Sequence, residues 1–210
     1  MNITAISDTH NDHRSLELGS GDILIHAGDA CIKGSYTEGL DFLWWFVKQP
    51  YKYKVLVPGN HDNKIKSHPE LISLAHDMGI HVLRDDLVEI EGLRIYGVCK
   101  VYMDKTRCNV ADKYRFHSWK HIPENVDILV THMPCHGILD ANVNGVSIGC
   151  SELTKKVAEV KPKLHLFGHI HESAQQEVTI GATTYKNVAV KDRNYLTIYH
   201  EGYHFEQETN

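Results

Sequence analysis

Short apolar runs, each followed by polar residues, recur along the chain and predict its strands. Runs rich in Val, Ile and Leu that end in Gly, Pro or polar clusters are typical of buried strands. They lie at residues 3–6, 23–25, 55–57, 80–83, 87–90, 93–98, 127–130 and 164–167. The two runs at 87–90 and 93–98 flank Glu91-Gly92, which predicts a hairpin. The chain from residue 176 onward is also rich in β-forming residues.

Three segments between these runs carry apolar residues at helical spacing. The apolar positions are Leu40, Leu43, Trp44 and Val47, then Leu71, Leu74, Ala75 and Met78, and finally Leu153, Val157 and Val160. Gly79 and Pro162 end the second and third helices, because glycine favours a left-handed cap and proline cannot continue a helix. Strands alternating with helices predict an α/β domain of parallel strands covered by helices. The late strands predict a second sheet packed on the first.

Composition agrees with such a domain and excludes several functional classes. The chain has 210 residues, 42% hydrophobic and 23% charged, which predicts a single soluble domain over residues 1–210. Its net charge of -5 argues against binding long nucleic acid through its overall field. Neither a membrane-spanning run nor a signal peptide is predicted. The five cysteines include no Cys-x-x-Cys pair, which predicts free thiols and a cytoplasmic location.

Polar residues of metal-ligand type follow five of the predicted strands. They are Asp8 and His10, Asp29, Asn60 and His61, His132, and His169 and His171. Because parallel strands share a direction, their C-terminal ends are expected to converge on one edge of the sheet. Alternation along an extended segment is expected to put Asp8 and His10 on one side, and likewise His169 and His171.

A cluster of carboxylate, amide and imidazole groups without cysteine suits Mn, Fe, Zn or Ni. It contains more ligands than one ion usually takes, so we expect two ions about 3.5–4 Å apart sharing one carboxylate. Each residue taken singly has a structural alternative, such as a helix cap for Asp8 or a satisfied core position for a histidine. Five coincidences at the same kind of position favour the metal interpretation.

These motifs together resemble the calcineurin-like metallophosphoesterase superfamily, in order and over residues 8–171. The matching segments are Asp8-x-His10, Gly28-Asp29, Gly59-Asn60-His61-Asp62, Thr131-His132 and Gly168-His169-x-His171. Ser7-Asp8-Thr9-His10-Asn11, Thr131-His132-Met133-Pro134 with Gly137 and Asp140, and Gly149-Cys150 are similar to the small MPPED-type phosphodiesterases of that superfamily.

The resemblance implies a four-layered α/β/β/α sandwich and two divalent transition-metal ions, Mn foremost, with Fe, Zn, Ni or Co as alternatives. Matched residue by residue, it assigns Asp8, His10 and His171 to the first ion. It assigns Asn60, His132 and His169 to the second, with Asp29 as the bridge.

His61 has no metal to bind in this assignment and is expected to lie over the substrate phosphate as general acid. A hydroxide held by the two ions is the expected nucleophile, and Asn60 is expected to help stabilise the developing charge. Asp62 either orients the loop or has a merely structural role.

Residues 100–121 are candidates for reading the substrate, with Tyr102 and Arg107 as the named positions. This stretch carries Lys100, Lys105, Arg107, Lys113, Arg115 and Lys120 against Asp104 and Asp112. Aromatic residues interleave with these charges, which suits a nucleotide. The alternative is an irregular insertion fixed to the core by its aromatics. His136 and Asp140 are further candidates, with a plain surface role as the alternative for His136.

The predicted function is hydrolysis of a small phosphodiester, such as a cyclic nucleotide, with neither long nucleic acid nor a membrane as partner. A phosphomonoesterase or a nuclease using the same site is the enzymatic alternative. A non-catalytic binding scaffold is the third hypothesis, but every motif position is filled, which argues against it. The oligomeric state is not predicted.

Overall fold

The computed structural model describes residues 1–101, 117–198 and 203–206. The strands in these ranges are β1 (Asn2–Ile6), β2 (Gly21–His26), β3 (Tyr51–Leu56), β4 (Ile80–Val82), β5 (Asp86–Ile90), β6 (Leu93–Val98), β7 (Ile128–Thr131), β8 (Leu164–Phe167), β9 (Glu177–Ile180), β10 (Thr183–Asn187) and β11 (Tyr203–Glu206). The α-helices are α1 (Tyr36–Val47), α2 (Asn63–Ser67), α3 (Pro69–Asp77), α4 (His117–Lys120) and α5 (Ser151–Val160).

The strands form two sheets. The first has the order β11-β1-β2-β3-β4 and the second β5-β6-β7-β8-β10-β9. Strands β1 to β4 are parallel, as are β6, β7, β8 and β10, whereas β11, β5 and β9 pair antiparallel at the edges. The hairpin predicted at Glu91-Gly92 is confirmed, with β5 and β6 in register from Asp86↔Gly97 to Ile90↔Leu93.

Side chains alternate along the strands and form three hydrophobic clusters, one between the two sheets and one between each sheet and its helices. In β2, Ile23 and Ile25 face the other sheet, while Leu24 packs toward α1 with Phe42 and Phe46. In the second sheet, Leu129 on β7 packs in the same way toward α5, while its neighbours in β7 face the first sheet. The layers are therefore helix, sheet, sheet and helix, and the predicted α/β/β/α sandwich is confirmed.

The sequence suggested that the late strands form the second sheet, and this prediction is only partly right. β7 and β8, which carry two of the predicted metal motifs, belong to the second sheet, and β11 returns to pair with β1 in the first. An apolar strand buried on both faces has the same pattern in either sheet, so the sequence could not assign it.

Local signals define the helix ends. α1 begins after Ser35, whose side chain accepts from the Glu38 N–H while Glu38 accepts from the Ser35 N–H, and the helix predicted from Leu40, Leu43, Trp44 and Val47 is confirmed. α3 ends shortly before Gly79, which has a φ of +74°. α5 ends at Val160, and Lys161 caps it in the left-handed conformation before Pro162.

The prediction that every cysteine is a free thiol is wrong at Cys150, which is disulfide-bonded. Cys31, Cys99 and Cys135 are free. The cytoplasmic location was inferred from free thiols, so it loses part of its support and stays a prediction. Within the described ranges, no helix combines the length and the apolar character needed to cross a bilayer.

Candidate metal centre

Five loops from the two sheets meet at one place. The loops after β1, β2 and β3 come from the first sheet, and those after β7 and β8 come from the second. Glycines allow the close approach: a Cβ on Gly28 would lie 2.6 Å from Nδ1 of His132. The prediction of one sheet edge is therefore corrected, because the site lies at the junction of two sheets.

The first ligand group consists of Asp8, His10 and His171. Their nearest side-chain ligand atoms lie within 4.8 Å of one another. Asp8 Oδ1 is 3.4 Å from His171 Nε2 and 3.8 Å from His10 Nε2. The two Nε2 atoms are 3.4 Å apart. This is the set that the family resemblance assigned to the first ion.

The second ligand group consists of Asp29, His132 and His169, again with ligand atoms within 4.8 Å of one another. Asp29 Oδ2 lies 3.1 Å from His132 Nε2. Asn60, the remaining member assigned from sequence, has a buried Oδ1 with no hydrogen-bond partner among the described residues. The two groups adjoin, since Asp8 Oδ1 is 4.0 Å from His132 Nε2.

Backbone carbonyls orient three of the histidine rings. Nδ1 of His10 donates to the Cys31 carbonyl at 3.1 Å and Nδ1 of His171 to the Asp192 carbonyl at 3.1 Å. Nδ1 of His132 donates to the Ala27 carbonyl at 2.8 Å. A carbonyl only accepts, so each Nδ1 carries a proton and Nε2 is the ring nitrogen left to face the centre.

The backbone at four predicted ligands is left-handed. Asp8, His10, Asp29 and His169 have φ values of +57°, +44°, +56° and +70°. Such conformations are costly for residues other than glycine, and they concentrate at functional sites. They also show why alternation failed for His169 and His171, which join different groups: the segment turns instead of running extended.

Burial and charge act against each other on the pKa values of the two carboxylates. Burial alone would raise the pKa of Asp8, but His132 and His171 outweigh it and hold that pKa far below its usual range. The pKa of Asp29 is also lowered, because His132 outweighs burial there. Both carboxylates are therefore anionic at neutral pH.

The pKa values of the histidines divide according to whether burial or the charge of the carboxylates prevails. Burial opposes protonation of His132, but Asp29 and Asp8 prevail and raise its pKa to about 9. The pKa of His171 is shifted upward in the same way, with Asp8 outweighing burial. Burial lowers the pKa of His169 to about 4 and also lowers that of His10. The centre thus contains a position, beside Asp29 and Asp8, where positive charge is strongly favoured.

The donor set fits two divalent cations. Each group offers a carboxylate and two imidazole nitrogens, and Asn60 adds a buried amide oxygen that lacks a partner within the described part of the chain. Nitrogen and oxygen donors without thiolate suit Mn, Fe, Zn or Ni. The first group would hold one ion, and the second group with Asn60 would hold the other.

His61 lies at the open side of the centre. Its side chain is 40% exposed, and Nε2 is 3.9 Å from Asp29 Oδ2. Its Nδ1 donates to the Ile32 carbonyl, and its backbone N–H donates to Asp29 Oδ1 at 2.8 Å. The ring is therefore anchored at one nitrogen and presents the other toward the ligand groups.

Asp62 holds the loops after β2 and β3 together. It is fully buried and accepts from the N–H of Cys31 at 3.0 Å and of Gly59 at 2.8 Å. Burial, together with the charge of Asp29, raises its pKa. From the sequence, the role of Asp62 stayed open between orienting the loop and a purely structural one, because the sequence does not show that this side chain is buried.

Two of the four residues predicted to contact the substrate lie in the described part of the chain. Tyr102 and Arg107 lie outside the described residues. Asp140 is buried and accepts from the N–H groups of Gly137 and Gly149 at 3.0 and 2.8 Å, so its carboxylate organises its own loop. His136 has a side chain 51% exposed. Substrate contact by either residue stays a prediction.

Three residues beside the centre were missed by sequence reasoning. Ile32, Lys191 and Tyr195 line a cavity of about 450 Å³ together with His10 and His61. Lys191 and Tyr195 belong to a turn late in the chain that carries no recognisable motif. Only the pairing of that region with the metal loops brings them to the site.

Comparison with known proteins agrees with this architecture. Residues 1–173 match the calcineurin-like phosphoesterase family. The human protein "Metallophosphoesterase domain-containing protein 1" is 34% identical, over 92% of this chain and 67% of its own length. A UPF0046 protein of Caenorhabditis elegans is 33% identical, over 95% of this chain and 78% of its own length.

Two solved structures share the fold at low sequence identity. The phosphopantetheinyl hydrolase of Mycobacterium tuberculosis superposes with a TM-score of 0.61 at 16% identity, covering 92% of this chain and 90% of its own. A protein of Thermus thermophilus gives a TM-score of 0.62 at 17% identity, covering 89% of this chain and 88% of its own. The sequence matches and the shared fold lead to one conclusion: the chain belongs to the calcineurin-like phosphoesterase family.

Proposed function

We propose that the protein is a metal-dependent phosphodiesterase that hydrolyses small phosphodiesters, cyclic nucleotides among them, with Mn as the preferred metal. One observation carries the proposal. Two adjoining ligand groups, each with one carboxylate and two imidazoles, lie beneath an anchored and partly exposed histidine. Phosphoester hydrolysis needs a nucleophile, charge neutralisation and a proton donor, and this arrangement provides a place for each.

Two bound divalent ions would supply a nucleophile at neutral pH and neutralise charge on the phosphoryl oxygens. The chain's own residues hold and complete that centre. Asp8, His10 and His171 hold one side, His132, His169 and Asn60 hold the other, and Asp29 lies between His132 and His61. His61, with Nδ1 fixed on the Ile32 carbonyl, places Nε2 to donate a proton to the leaving oxygen.

The space beside His61 supports a small substrate. The cavity of about 450 Å³ is within the range of small-molecule sites and opens directly onto His10 and His61. A diester leaves an alkoxide or aryloxide that needs a proton, and an exposed histidine at the mouth of the site meets that need.

The proposal is tested by an activity screen on chelator-stripped protein. Mn, Ni, Fe, Co, Zn and Mg are each crossed with bis-p-nitrophenyl phosphate, p-nitrophenyl phosphate and the 2′,3′- and 3′,5′-cyclic nucleotides. We expect diester hydrolysis that is absent without metal and highest with Mn. Preferential hydrolysis of p-nitrophenyl phosphate would instead assign the site to a phosphomonoesterase. Metal binding without turnover of any of these substrates would contradict the proposed activity.

A further inference from the structure

We propose that Tyr195 is the stacking surface for a planar aromatic substituent of the substrate, such as an aryl group or a nucleobase. The inference rests on the proposed function and narrows it, because it assigns the preferred phosphoesters to those with an aromatic group next to the phosphate. Neither the motifs nor the ligand groups include this residue.

The Tyr195 ring lies against the first ligand group. Its centroid lies 4.7 Å from that of His171 and 5.4 Å from that of His10, so it leans against the first ligand group. The residue is nevertheless 59% exposed. Part of a large aromatic side chain is thus fixed on the metal centre while the remainder faces the cavity.

The hairpin that carries Tyr195 is tied to the metal loops. Lys191 and Thr197 pair across it, and Nζ of Lys191 and Oγ1 of Thr197 both donate to Asp12 Oδ2 at 2.8 Å. Asp12 belongs to the loop after β1, which also carries Asp8 and His10. On the other side, the Asp192 carbonyl accepts from His171. A binding surface held by such contacts needs little ordering when a ligand binds.

Internal hydrogen bonds fix the tip of the same hairpin. Asp192 Oδ1 accepts from the N–H of Asn194 at 2.8 Å and of Leu196 at 3.0 Å, and the Tyr195 N–H donates to the Asp192 carbonyl at 2.9 Å. Tyr195 itself has a φ of +60°, which the turn imposes on a residue other than glycine. The turn therefore fixes the backbone position from which the Tyr195 ring projects.

The cavity also has an exposed apolar side chain, Ile32. Ile32 is 50% exposed, and its carbonyl holds His61, so the isoleucine and the proposed acid share one wall. Lys191 also lines the cavity, but its ammonium group already bonds Asp12, Thr197 and the Tyr195 carbonyl. The exposed surfaces of Tyr195 and Ile32 in this cavity therefore suit a flat apolar group whose phosphate lies at His10 and His61.

Binding of two phosphonates to the Mn-loaded protein tests this inference. Phenylphosphonate and methylphosphonate have the same anionic head, and their C–P bonds are not cleaved by phosphoester hydrolysis. Stacking on an aromatic side chain contributes enough free energy to predict that the wild type binds phenylphosphonate about tenfold more tightly than methylphosphonate. Calorimetry measures both affinities. Tyr195→Ala should abolish this preference and leave the affinity for methylphosphonate unchanged, whereas Tyr195→Phe should keep it.

Tyr36→Ala makes the same chemical change at a partly exposed tyrosine on α1 and should retain the preference. A wild type that binds both phosphonates equally, or a Tyr195→Ala variant that still prefers phenylphosphonate, would overturn the role of Tyr195. Failure of the proposed function is distinguishable, because it appears as absent hydrolysis of bis-p-nitrophenyl phosphate, while the phosphonate preference is measured without turnover.

Discussion

His10, His132 and His171 each use one ring nitrogen to donate to a backbone carbonyl and leave the other for the centre. His61 is anchored in the same way, on the Ile32 carbonyl, but it is far more exposed than the other three. Burial thus separates three imidazoles enclosed in the centre from one that is exposed at its open side, and of these four we expect only the enclosed three to hold cations. Single substitutions should separate these roles.

His61→Ala should lower kcat for a diester by about 10²- to 10⁴-fold while the protein retains its metal, because a general acid is lost and no ligand is removed. Asp29→Ala should lose both activity and metal, since Asp29 adjoins His132 and receives the His61 N–H. Metal content by elemental analysis and kcat on the two purified variants check this. Equal loss of metal from both would contradict the assignment of His61 as the acid.

Asp62→Ala should destabilise the protein, because it leaves the buried N–H groups of Cys31 and Gly59 without their acceptor. Each buried donor that loses its partner costs about 1–3 kcal/mol. The free energy of unfolding in urea, measured with chelator present, gives the size of the effect. Asp77→Ala removes a carboxylate that is 73% exposed and should change it by less than about 0.5 kcal/mol. A result for Asp62→Ala no larger than for Asp77→Ala would contradict the role of Asp62.

At the scale of elements, the loops can meet only where no side chain separates them. Gly59 follows β3, and a Cβ there would lie 2.5 Å from the Asp29 backbone nitrogen and closer still to its carboxylate. The β2 and β3 loops therefore depend on glycine for their contact. Strand order alone does not ensure this approach.

Gly59→Ala should force these loops apart and lower the metal-to-protein ratio of the purified protein. Gly79→Ala is the matched control at the end of α3, where a Cβ meets nothing within 4 Å but φ is +74°. It should cost about 1–2 kcal/mol of backbone strain and leave the metal in place. Full metal content in Gly59→Ala, measured beside this control, would show that the contact between the two loops does not require glycine at position 59.

At the scale of the whole molecule, buried histidines outside the metal centre make stability depend on pH. His165 on β8 is buried against the Thr131 hydroxyl, with Nε2 to Oγ1 at 2.9 Å. Burial lowers its pKa from 6.5 to about 3. The unfolded chain takes up a proton below about 6.5 and the folded protein does not until about 3, so stability falls as pH falls through that window.

His165→Leu should therefore lose less stability than the wild type between about pH 7 and pH 5. Well below about pH 6.5, the slopes of the free energy of unfolding against pH should differ between the two proteins by about 1.4 kcal/mol per pH unit, the value for one proton. Urea unfolding of metal-free protein at several pH values measures it. Parallel pH profiles for the two proteins would show that His165 is not excluded from protonation in the fold.

Local features of the sequence determined much of this molecule. The helical spacing of Leu40, Leu43 and Val47 and the Glu91-Gly92 turn predicted elements that the structure contains at those positions, because each signal acts over a few residues. Local motifs after the strands also identified Asp8, His10 and His171 as candidate ligands, and these residues lie together in the structure.

Tertiary structure decided what depends on contacts between distant segments. It put β7 and β8 in the second sheet, so that the centre joins two sheets, and it separated His169 from His171 by a left-handed turn. It buried Asp62 between two loops and brought Tyr195 against His10 and His171. Hydrophobic alternation is the same for a strand in either sheet, and neither burial nor long-range stacking leaves a local signal. The sequence therefore determined the chemistry of the site, and the packing of the two sheets determined its shape.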